Sequence, residues 1–187
     1  MQPETRNPQP ATRNSNIHWY ALYTRPRFEK KVARALEEKG LESFLPVQTV
    51  IKQWSDRKKK IEEPLFSCYV FVHVSTRQRV MAVETDGVVR MVSFRGTPAS
   101  IPDSEIAAVR KVLDHSGSFE PVDYLPIGVI VEVVQGPLAG VRGRLMEYRG
   151  QKRLVVGVQQ IGQAIAVEIH PAHVKPVAGQ GSSQSNR

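Results

Sequence analysis

The sequence predicts an α+β fold in which a module of strands and helices is followed by a small barrel made only of strands. Helix-like and strand-like patterns alternate in the first half, and five short apolar runs crowd into the second half. A segment rich in Gly, Ser and Pro separates the two halves. We therefore predict a polar disordered tail, an α+β sandwich, a linker, a barrel and a second disordered tail at residues 1–16, 17–115, 116–127, 128–177 and 178–187.

The first module opens with a strand and a helix. Residues 18–23 are aromatic and apolar, as in a short strand. Pro26 is predicted to lie in the first turn of the helix, where proline is tolerated, and Gly40 follows its last turn. Between them, an apolar stripe has helical spacing: Phe28, Val32, Ala35 and Leu36.

The rest of the first module completes the order β-α-β-β-β-α-β-α. The predicted elements are a strand at 41–52, a strand at 61–74 that breaks near Pro64 and Ser67 divide in two, a helix at 75–86, a strand at 88–94 and a helix from 102. The segment 54–60 between the first two is polar and is predicted to form the tip of a long hairpin. This order predicts a mostly antiparallel sheet with helices packed against it.

The second module is predicted to contain strands alone. Apolar residues alternate along its strands, as in Leu154, Val156 and Val158, and again in Ile165, Val167 and Ile169. A sheet this small is expected to close on itself, because closure removes its exposed edges.

Composition indicates a soluble protein with anionic partners. Lysine and arginine number 26 against 18 acidic residues, which gives a net charge of +8 and favours nucleic acid. No apolar stretch approaches the roughly 18 residues of a membrane span, and the polar N-terminus does not resemble a signal peptide, so a cytoplasmic location is expected. The single cysteine, Cys68, excludes an internal disulfide and is expected to pack as a small apolar side chain.

The sequence offers no catalytic constellation, so we predict neither an enzyme nor a metal or other cofactor. His170 and His173 are three residues apart, but Pro171 makes a helical pair unfavourable, and neither a cysteine nor a carboxylate cluster lies nearby. The glycines of 136–140 are followed by Val141-Arg142, where a phosphate-binding loop needs lysine and then serine or threonine.

The second module resembles a KOW module, the small SH3-like barrel found in NusG proteins. The matching residues are Gly136-Pro137-Leu138-Ala139-Gly140, Gly143, Arg153-Leu154-Val155-Val156, Gly162 and Val167-Glu168-Ile169. Gly136 and Pro137 suit a tight turn, and Gly143 suits a close approach of two backbones.

The first module resembles the NGN domain that precedes KOW in the NusG/RfaH family. The matching residues are Trp19-Tyr20-Ala21-Leu22-Tyr23, Glu63-Pro64-Leu65-Phe66, Tyr69-Val70-Phe71-Val72 and Ile101-Pro102-Asp103-Ser104-Glu105-Ile106. The segments 23–27, 53–59 and 63–66 are similar to specialised antiterminators of the UpxY and RfaH types. Ser67-Cys68 stands where housekeeping members usually carry Pro-Gly.

The resemblance implies that the NGN domain binds the clamp helices of the RNA polymerase β′ subunit through an aromatic patch. By position this patch is Tyr23, Phe66, Tyr69 and Phe71. Tyr69 and Phe71 share one face of a strand, whereas Val70 and Val72 share the other. If the valines pack under the helices, the aromatic rings face outward. The alternative is that the rings belong to the core, since aromatic strands are usually buried.

Two basic segments are candidates for contact with upstream DNA or the non-template strand. The hairpin tip supplies Arg57, Lys58, Lys59 and Lys60. The resemblance to RfaH implies a further contact through Arg25 and Lys31. The alternative is that the hairpin tip is a solvated loop.

The resemblance further implies that the barrel recruits either the Rho terminator or a small-subunit ribosomal protein, with Leu138 at a contact position. The alternative is that Leu138 fills the mouth of the barrel. Because the module is dense in Val and Ile and keeps its glycines, we expect it to remain a β barrel instead of refolding into helices.

These inferences predict a monomeric antitermination factor of the bacterial cytoplasm that holds the polymerase clamp closed. One alternative is a general NusG that assists Rho-dependent termination. Another is a KOW protein that binds RNA or the ribosome without polymerase.

Overall fold

The N-terminal domain is an α+β sandwich, as predicted. The computed structural model describes residues 16–53, 58–115, 119–123, 128–148 and 151–177. The elements of this domain are, in chain order, β1 (Ile17–Thr24), α1 (Glu29–Glu38), β2 (Glu42–Phe44), β3 (Val47–Gln53), β4 (Lys58–Pro64), β5 (Tyr69–Ser75), α2 (Arg79–Val83), β6 (Val88–Met91), β7 (Ser93–Phe94), β8 (Thr97–Pro98), β9 (Ser100–Ile101) and α3 (Asp103–Asp114).

The central sheet of this domain is antiparallel. Its strands lie in the order β2-β5-β1-β6, and β9 pairs with β1 beyond the end of β6. Two hairpins lie outside this sheet, a long one formed by β3 and β4 and a short one formed by β7 and β8. The long hairpin matches the one predicted around the polar segment, whose tip at residues 54–57 lies outside the described residues.

Helices cover both faces of the central sheet. On one face, Val70 and Val72 of β5 belong to an apolar cluster with Val32 and Leu36 of α1, which confirms the prediction that these valines pack under a helix. The opposite face belongs to a second cluster, which includes the apolar stripe of α3: Ile106, Val109 and Val112. The sheet is therefore the middle layer of three.

The start of α1 differs from the prediction. The helix begins at Glu29, three residues after Pro26. Arg27 has a φ of 66°, which lies in the left-handed region and is incompatible with a continuous right-handed helix. Pro26 and Arg27 thus form a turn that carries the chain from β1 into α1.

The C-terminal domain is an antiparallel β domain, as predicted. Its strands are β10 (Phe119–Asp123), β11 (Val129–Val133), β12 (Arg142–Tyr148), β13 (Gln151–Val158), β14 (Gln163–Glu168) and β15 (Val174–Pro176). Consecutive strands β11 to β14 pair with one another, and β15 returns to pair with β11. The alternating residues predicted to share a face are buried: Leu154, Val156, Val158, Ile165, Val167 and Ile169.

The predicted linker 116–127 contains a β-strand. Residues 119–123 form β10, which pairs with β14 along its whole length. The prediction was wrong for these five residues because Pro121 and the nearby glycine and serines suggested irregular backbone. A proline is nevertheless compatible with an edge strand, where the missing N–H can face away from the ladder.

The two domains contact each other through α3. The backbone N–H of Gln159 donates to the Glu105 carboxylate at 3.3 Å, and the Gln160 side chain donates to the Ser100 carbonyl at 3.0 Å. Lys111 donates to the Ala139 carbonyl. Burial of the Glu105 carboxyl raises its pKa, because an ionised carboxylate loses hydration there. Helix α3 thus contacts the sheet on one side and the C-terminal domain on the other.

We expect that β6 can pack closely against α1 only if residue 87 is glycine. Its φ is +93°, and an added Cβ would lie 2.7 Å from Phe28 Cδ1 and 3.0 Å from Val32 Cγ2. We predict that Gly87→Ala lowers the free energy of unfolding by about 2–4 kcal/mol, from the strained backbone and the steric clash together.

The control for this prediction is Gly40→Ala. Gly40 has a φ of +72°, but an added Cβ would meet nothing within 4 Å. Its cost should therefore be limited to about 1–2 kcal/mol from backbone strain alone. Urea unfolding of both variants measures the difference, and equal losses would show that Phe28 and Val32 do not constrain this position.

Candidate functional site

Aromatic side chains gather on the face of the central sheet that α3 partly covers. Tyr23 of β1 lies directly opposite Tyr69 of β5, and Phe71 lies opposite both Ala21 and Phe44. Directly paired residues project to the same face. The sheet thus brings together three of the four predicted aromatic residues, and the ring of the fourth, Phe66, lies 6.1 Å from the ring of Phe71.

Two of these four residues do not face outward. Phe66 is 1% exposed and Phe71 is 0% exposed, so the prediction of outward-facing rings was wrong for this pair. Both belong to the cluster that contains the apolar stripe of α3. The period-2 pattern correctly assigned Phe71 to the face of Tyr69, but it could not show that this part of the face would be covered.

Tyr23 and Tyr69 remain half-exposed beyond the covered region. Their ring centroids lie 5.5 Å apart in an edge-on arrangement, and the Arg90 guanidinium lies 5.5 Å from the ring centroid of Tyr23. Partial burial raises the pKa of the Tyr69 hydroxyl, and Arg90 offsets part of that rise. We call Tyr23 and Tyr69 the tyrosine pair. It presents apolar ring surface with polar hydroxyl groups, a combination enriched at protein interfaces.

The same face carries a second group of residues that sequence reasoning missed. The guanidinium of Arg110 on α3 lies 5.1 Å from the ring of Trp19 and 4.7 Å from the ring of Phe44. Glu42 pairs with Arg110 at 3.6 Å and with His73 Nδ1 at 2.8 Å. These contacts hold α3 against the sheet. The available signal was the period of two in β1, which places Trp19 on the face of Tyr23.

The structure also brings Arg25 and Lys31 together. Both are attracted to Asp86: Lys31 Nζ lies 2.6 Å and an Arg25 nitrogen 4.0 Å from its carboxylate oxygens. Both cations also lie over the ring of Phe28, with Lys31 Nζ 5.3 Å and the Arg25 guanidinium carbon 5.8 Å from the ring centroid. The hydrogen bond from Lys31, with its charge, holds the pKa of Asp86 below its usual range. This grouping forms an exposed basic site beside the first turn of α1.

The lysines of the long hairpin form a second basic site. Lys58, Lys59 and Lys60 are exposed on β4, whereas Arg57 lies outside the described residues. Lys59 lies directly opposite Lys52 of β3, and the ion pair of Lys52 with Glu63 offsets the unfavourable approach of the two like charges. At the base of the hairpin, Glu62 pairs with Lys30 of α1 at 3.5 Å. This ion pair links the hairpin to the helix that carries Lys31.

Leu138 is not available on the surface. It is 4% exposed and lines a cavity of about 370 Å³ together with Val133, Val167 and Ile169. This burial counts against the predicted contact and agrees with the alternative in which Leu138 packs inside the C-terminal domain. His115, at the end of α3, lines the same cavity.

Among the described residues, no helix is both long and apolar enough to cross a membrane. The same residues contain no group of three or more histidine, cysteine or acidic side chains arranged to hold a metal ion. His170 and His173 lie with their rings 5.4 Å apart, and His170 Nδ1 accepts a hydrogen bond from the backbone of Ala172. That acceptor role gives His170 a structural function in its turn.

A family model and curated relatives both show that the chain is similar to NusG proteins. The family model described as "Transcription termination factor nusG" matches residues 17–110. The chain is 24% identical over 175 residues to the transcription termination/antitermination protein NusG of Helicobacter pylori strain J99, covering 86% of this chain and 99% of that protein. It is 26% identical over 184 residues to the protein of the same name from Haemophilus influenzae, covering 87% and 96%.

Among solved structures, the chain is similar to one described as "Domain interaction in Thermotoga maritima NusG". The TM-score is 0.46 and the sequence identity is 21%, with 86% of this chain and 97% of that chain covered. The matches to the Helicobacter pylori and Haemophilus influenzae proteins cover 86% and 87% of this chain, whereas the family model covers residues 17–110 in the N-terminal domain.

The pairing of Lys31 with Asp86 gives a pH-dependent prediction. Because the ionised Asp86 is favoured, its pair with Lys31 should persist at neutral pH and be lost as the pH falls through the lowered pKa of Asp86. Lys31→Met should move that pKa up towards its ordinary value. Arg25→Met should move it less, because Arg25 contributes less to the shift. Carboxyl NMR titration measures both, and the account of this site is wrong if neither variant raises the pKa.

Proposed function

Because this chain belongs to the NusG family, we propose that it is a transcription elongation factor that suppresses termination. In this proposal its N-terminal domain binds the clamp helices of the RNA polymerase β′ subunit in the bacterial cytoplasm. A factor that bridges the clamp would hold it closed and reduce pausing. The protein would act as a monomer without a cofactor, through binding alone.

The tyrosine pair is the observation that carries the proposal. Tyr23 and Tyr69 adjoin the buried aromatic core, so their backbone positions are fixed by a sheet that is covered on both faces. Rigid, half-exposed aromatic rings are typical of the residues that dominate binding energy in protein interfaces. The buried rings of Phe66 and Phe71 would support the pair from below instead of touching the partner. Phe44, also half-buried, borders the same face.

The two basic sites support a contact with DNA near the polymerase. Lys58, Lys59 and Lys60 are the first three residues of β4 in the long hairpin. Arg25 precedes α1, and Lys31 lies in its first turn. Clustered cations on exposed elements suit phosphate groups, which specify no sequence by themselves. We propose upstream DNA or the non-template strand as the source of those phosphates.

The C-terminal domain is proposed to recruit a second factor, either Rho or a small-subunit ribosomal protein. Burial of Leu138 removes this side chain from the proposed contact. Other exposed apolar residues of the domain remain candidates, such as Ile130 and Val134.

A second candidate function is assistance to Rho-dependent termination. The relatives carry the combined name termination/antitermination, which favours neither direction. In vitro transcription through a Rho site separates the two functions. The proposed function predicts increased read-through on addition of this protein, whereas decreased read-through would support the alternative.

We predict that Tyr23→Ala and Tyr69→Ala each weaken binding to a β′ clamp-helix fragment by about 2 kcal/mol, or roughly 30-fold, as is typical of interface aromatics. Ile17→Ala is the matched control, because Ile17 lies on the same strand, is 45% exposed and projects to the same face six residues away. Isothermal titration with folded variants measures the affinities. Unchanged affinity in the folded double tyrosine variant would contradict the proposed contact.

We predict that the triple substitution of Lys58, Lys59 and Lys60 to Glu weakens binding to an elongation complex at low salt. The slope of log affinity against log salt should become shallower by up to about 3, close to one for each lost phosphate contact. The charge-matched control carries Arg142→Glu, Lys152→Glu and Lys175→Glu, which change exposed cations of the C-terminal domain. If both triple variants lose affinity equally, the effect is one of net charge and the hairpin has no specific role.

A further inference from the structure

Strand β10 lies at the edge of the C-terminal sheet and comes from the connection between the two domains. The sheet order is β10-β14-β13-β12-β11-β15, so β14 would be the edge strand without it. The five residues of β10 pair with β14 from Phe119 opposite Val167 to Asp123 opposite Gln163. An uncovered edge strand presents unpaired N–H and C=O groups that another chain can bind. Strand β10 therefore covers a site for strand addition.

An apolar contact accompanies this pairing. Val155, Ala164 and Ala166 form a small buried cluster on the face of β13 and β14 opposite the main core, and Val122 of β10 packs against it. Val155 is 6%, Ala164 0% and Ala166 4% exposed. Small side chains in this position leave room for the side chain of an added strand. Val122 supplies that side chain in the present structure.

Strand β10 is held by one paired neighbour and by two apolar side chains, Phe119 against the main core and Val122 against the small cluster. In the described part of the chain, β14 is its only paired neighbour. Local opening of such an element requires less free energy than unfolding of the whole domain.

Release of β10 would also change how the two domains are tethered. Four residues separate the end of α3 from the start of β10, whereas fourteen separate the end of α3 from the start of β11. Paired β10 therefore keeps the C-terminal domain on a short tether beside α3. The contacts of Glu105 and Lys111 with Gln159 and Ala139 form across that short distance.

We propose that residues 119–123 are a removable strand, and that an extended segment of a partner protein can take their place on β14. Strand addition of this kind gains affinity from main-chain hydrogen bonds and specificity from side chains that enter alternate positions. A suitable segment has a small apolar residue where β10 has Val122, which packs against the cluster of Val155, Ala164 and Ala166. Its binding would lengthen the tether and free the C-terminal domain from α3. The inference concerns this sheet edge and does not depend on the proposed polymerase contact.

Hydrogen exchange on the full chain tests the first half of the proposal. The β14 amides that point towards β10 should exchange at least about tenfold faster than those that bond to β13, because β10 opens locally. Equal protection on both sides of β14 would show that β10 is as firmly held as the core and would overturn the proposal.

Two variants test whether Val122 holds β10 on the sheet. Val122→Asp should increase exchange of the β14 amides towards β10 by a further factor of about ten, since it removes the apolar contact. Val129→Asp is the control, because Val129 is 60% exposed and lies on β11, which does not pair with β14. If exchange at β14 is the same in both variants, Val122 does not hold the strand. Should Val122→Asp fail to fold, the wild-type exchange pattern still decides.

The second half is tested with a labelled synthetic peptide that copies residues 117–125 but carries Ala in place of Pro121. Fluorescence anisotropy should show saturable binding to Val122→Asp and at least tenfold weaker binding to the Val129→Asp control, where β10 still occupies the edge. The same peptide with N-methylated backbone should not bind. Failure of the Ala-containing peptide to bind Val122→Asp, or equal binding of the N-methylated peptide, would overturn strand replacement.

Discussion

The packing of α3 against the central sheet determines which surfaces of this protein are available. Its apolar stripe closes one part of the aromatic face, so Phe66 and Phe71 become core residues while the tyrosine pair stays open. Arg110 fixes the helix further by stacking over Trp19 and Phe44 and pairing with Glu42. The outer side of the same helix contacts the C-terminal domain. One helix thus sets the boundary of the proposed polymerase contact and the position of the second domain.

The sequence was most informative where a regular period reports a buried face. Alternation in β5 separated Val70 and Val72 from Tyr69 and Phe71, and the structure places these pairs on opposite faces. The same logic identified the interior of the C-terminal sheet. These patterns are local, because each strand has to match its own alternation of buried and exposed sides. They therefore need no knowledge of which element lies across the core.

Features that depend on distant elements could not be predicted in this way. Phe66 and Phe71 share a buried cluster with α3, which begins more than thirty residues later in the chain. The ion pairs of Asp86 with Arg25 and Lys31 likewise join segments that are far apart in sequence. Strand β10 was missed for a different reason: Pro121 is unfavourable in a central strand but tolerated at an edge, and the sequence does not reveal which strands are edges. The turn at Arg27 was not predicted, because arginine rarely adopts the left-handed backbone conformation that it has here.

The most direct test of the account is oxidative footprinting of the intact chain with and without RNA polymerase. Hydroxyl radicals modify exposed aromatic side chains, so the free protein should be oxidised at Tyr23 and Tyr69 but not at Phe66 or Phe71. Binding of polymerase should decrease the oxidation of both tyrosines. Phe94 is 71% exposed on a separate hairpin, so its oxidation is the internal reference for an exposed ring in the free protein. Undiminished oxidation of Tyr23 and Tyr69 in a complex that is fully formed would contradict the central claim that this pair contacts the polymerase.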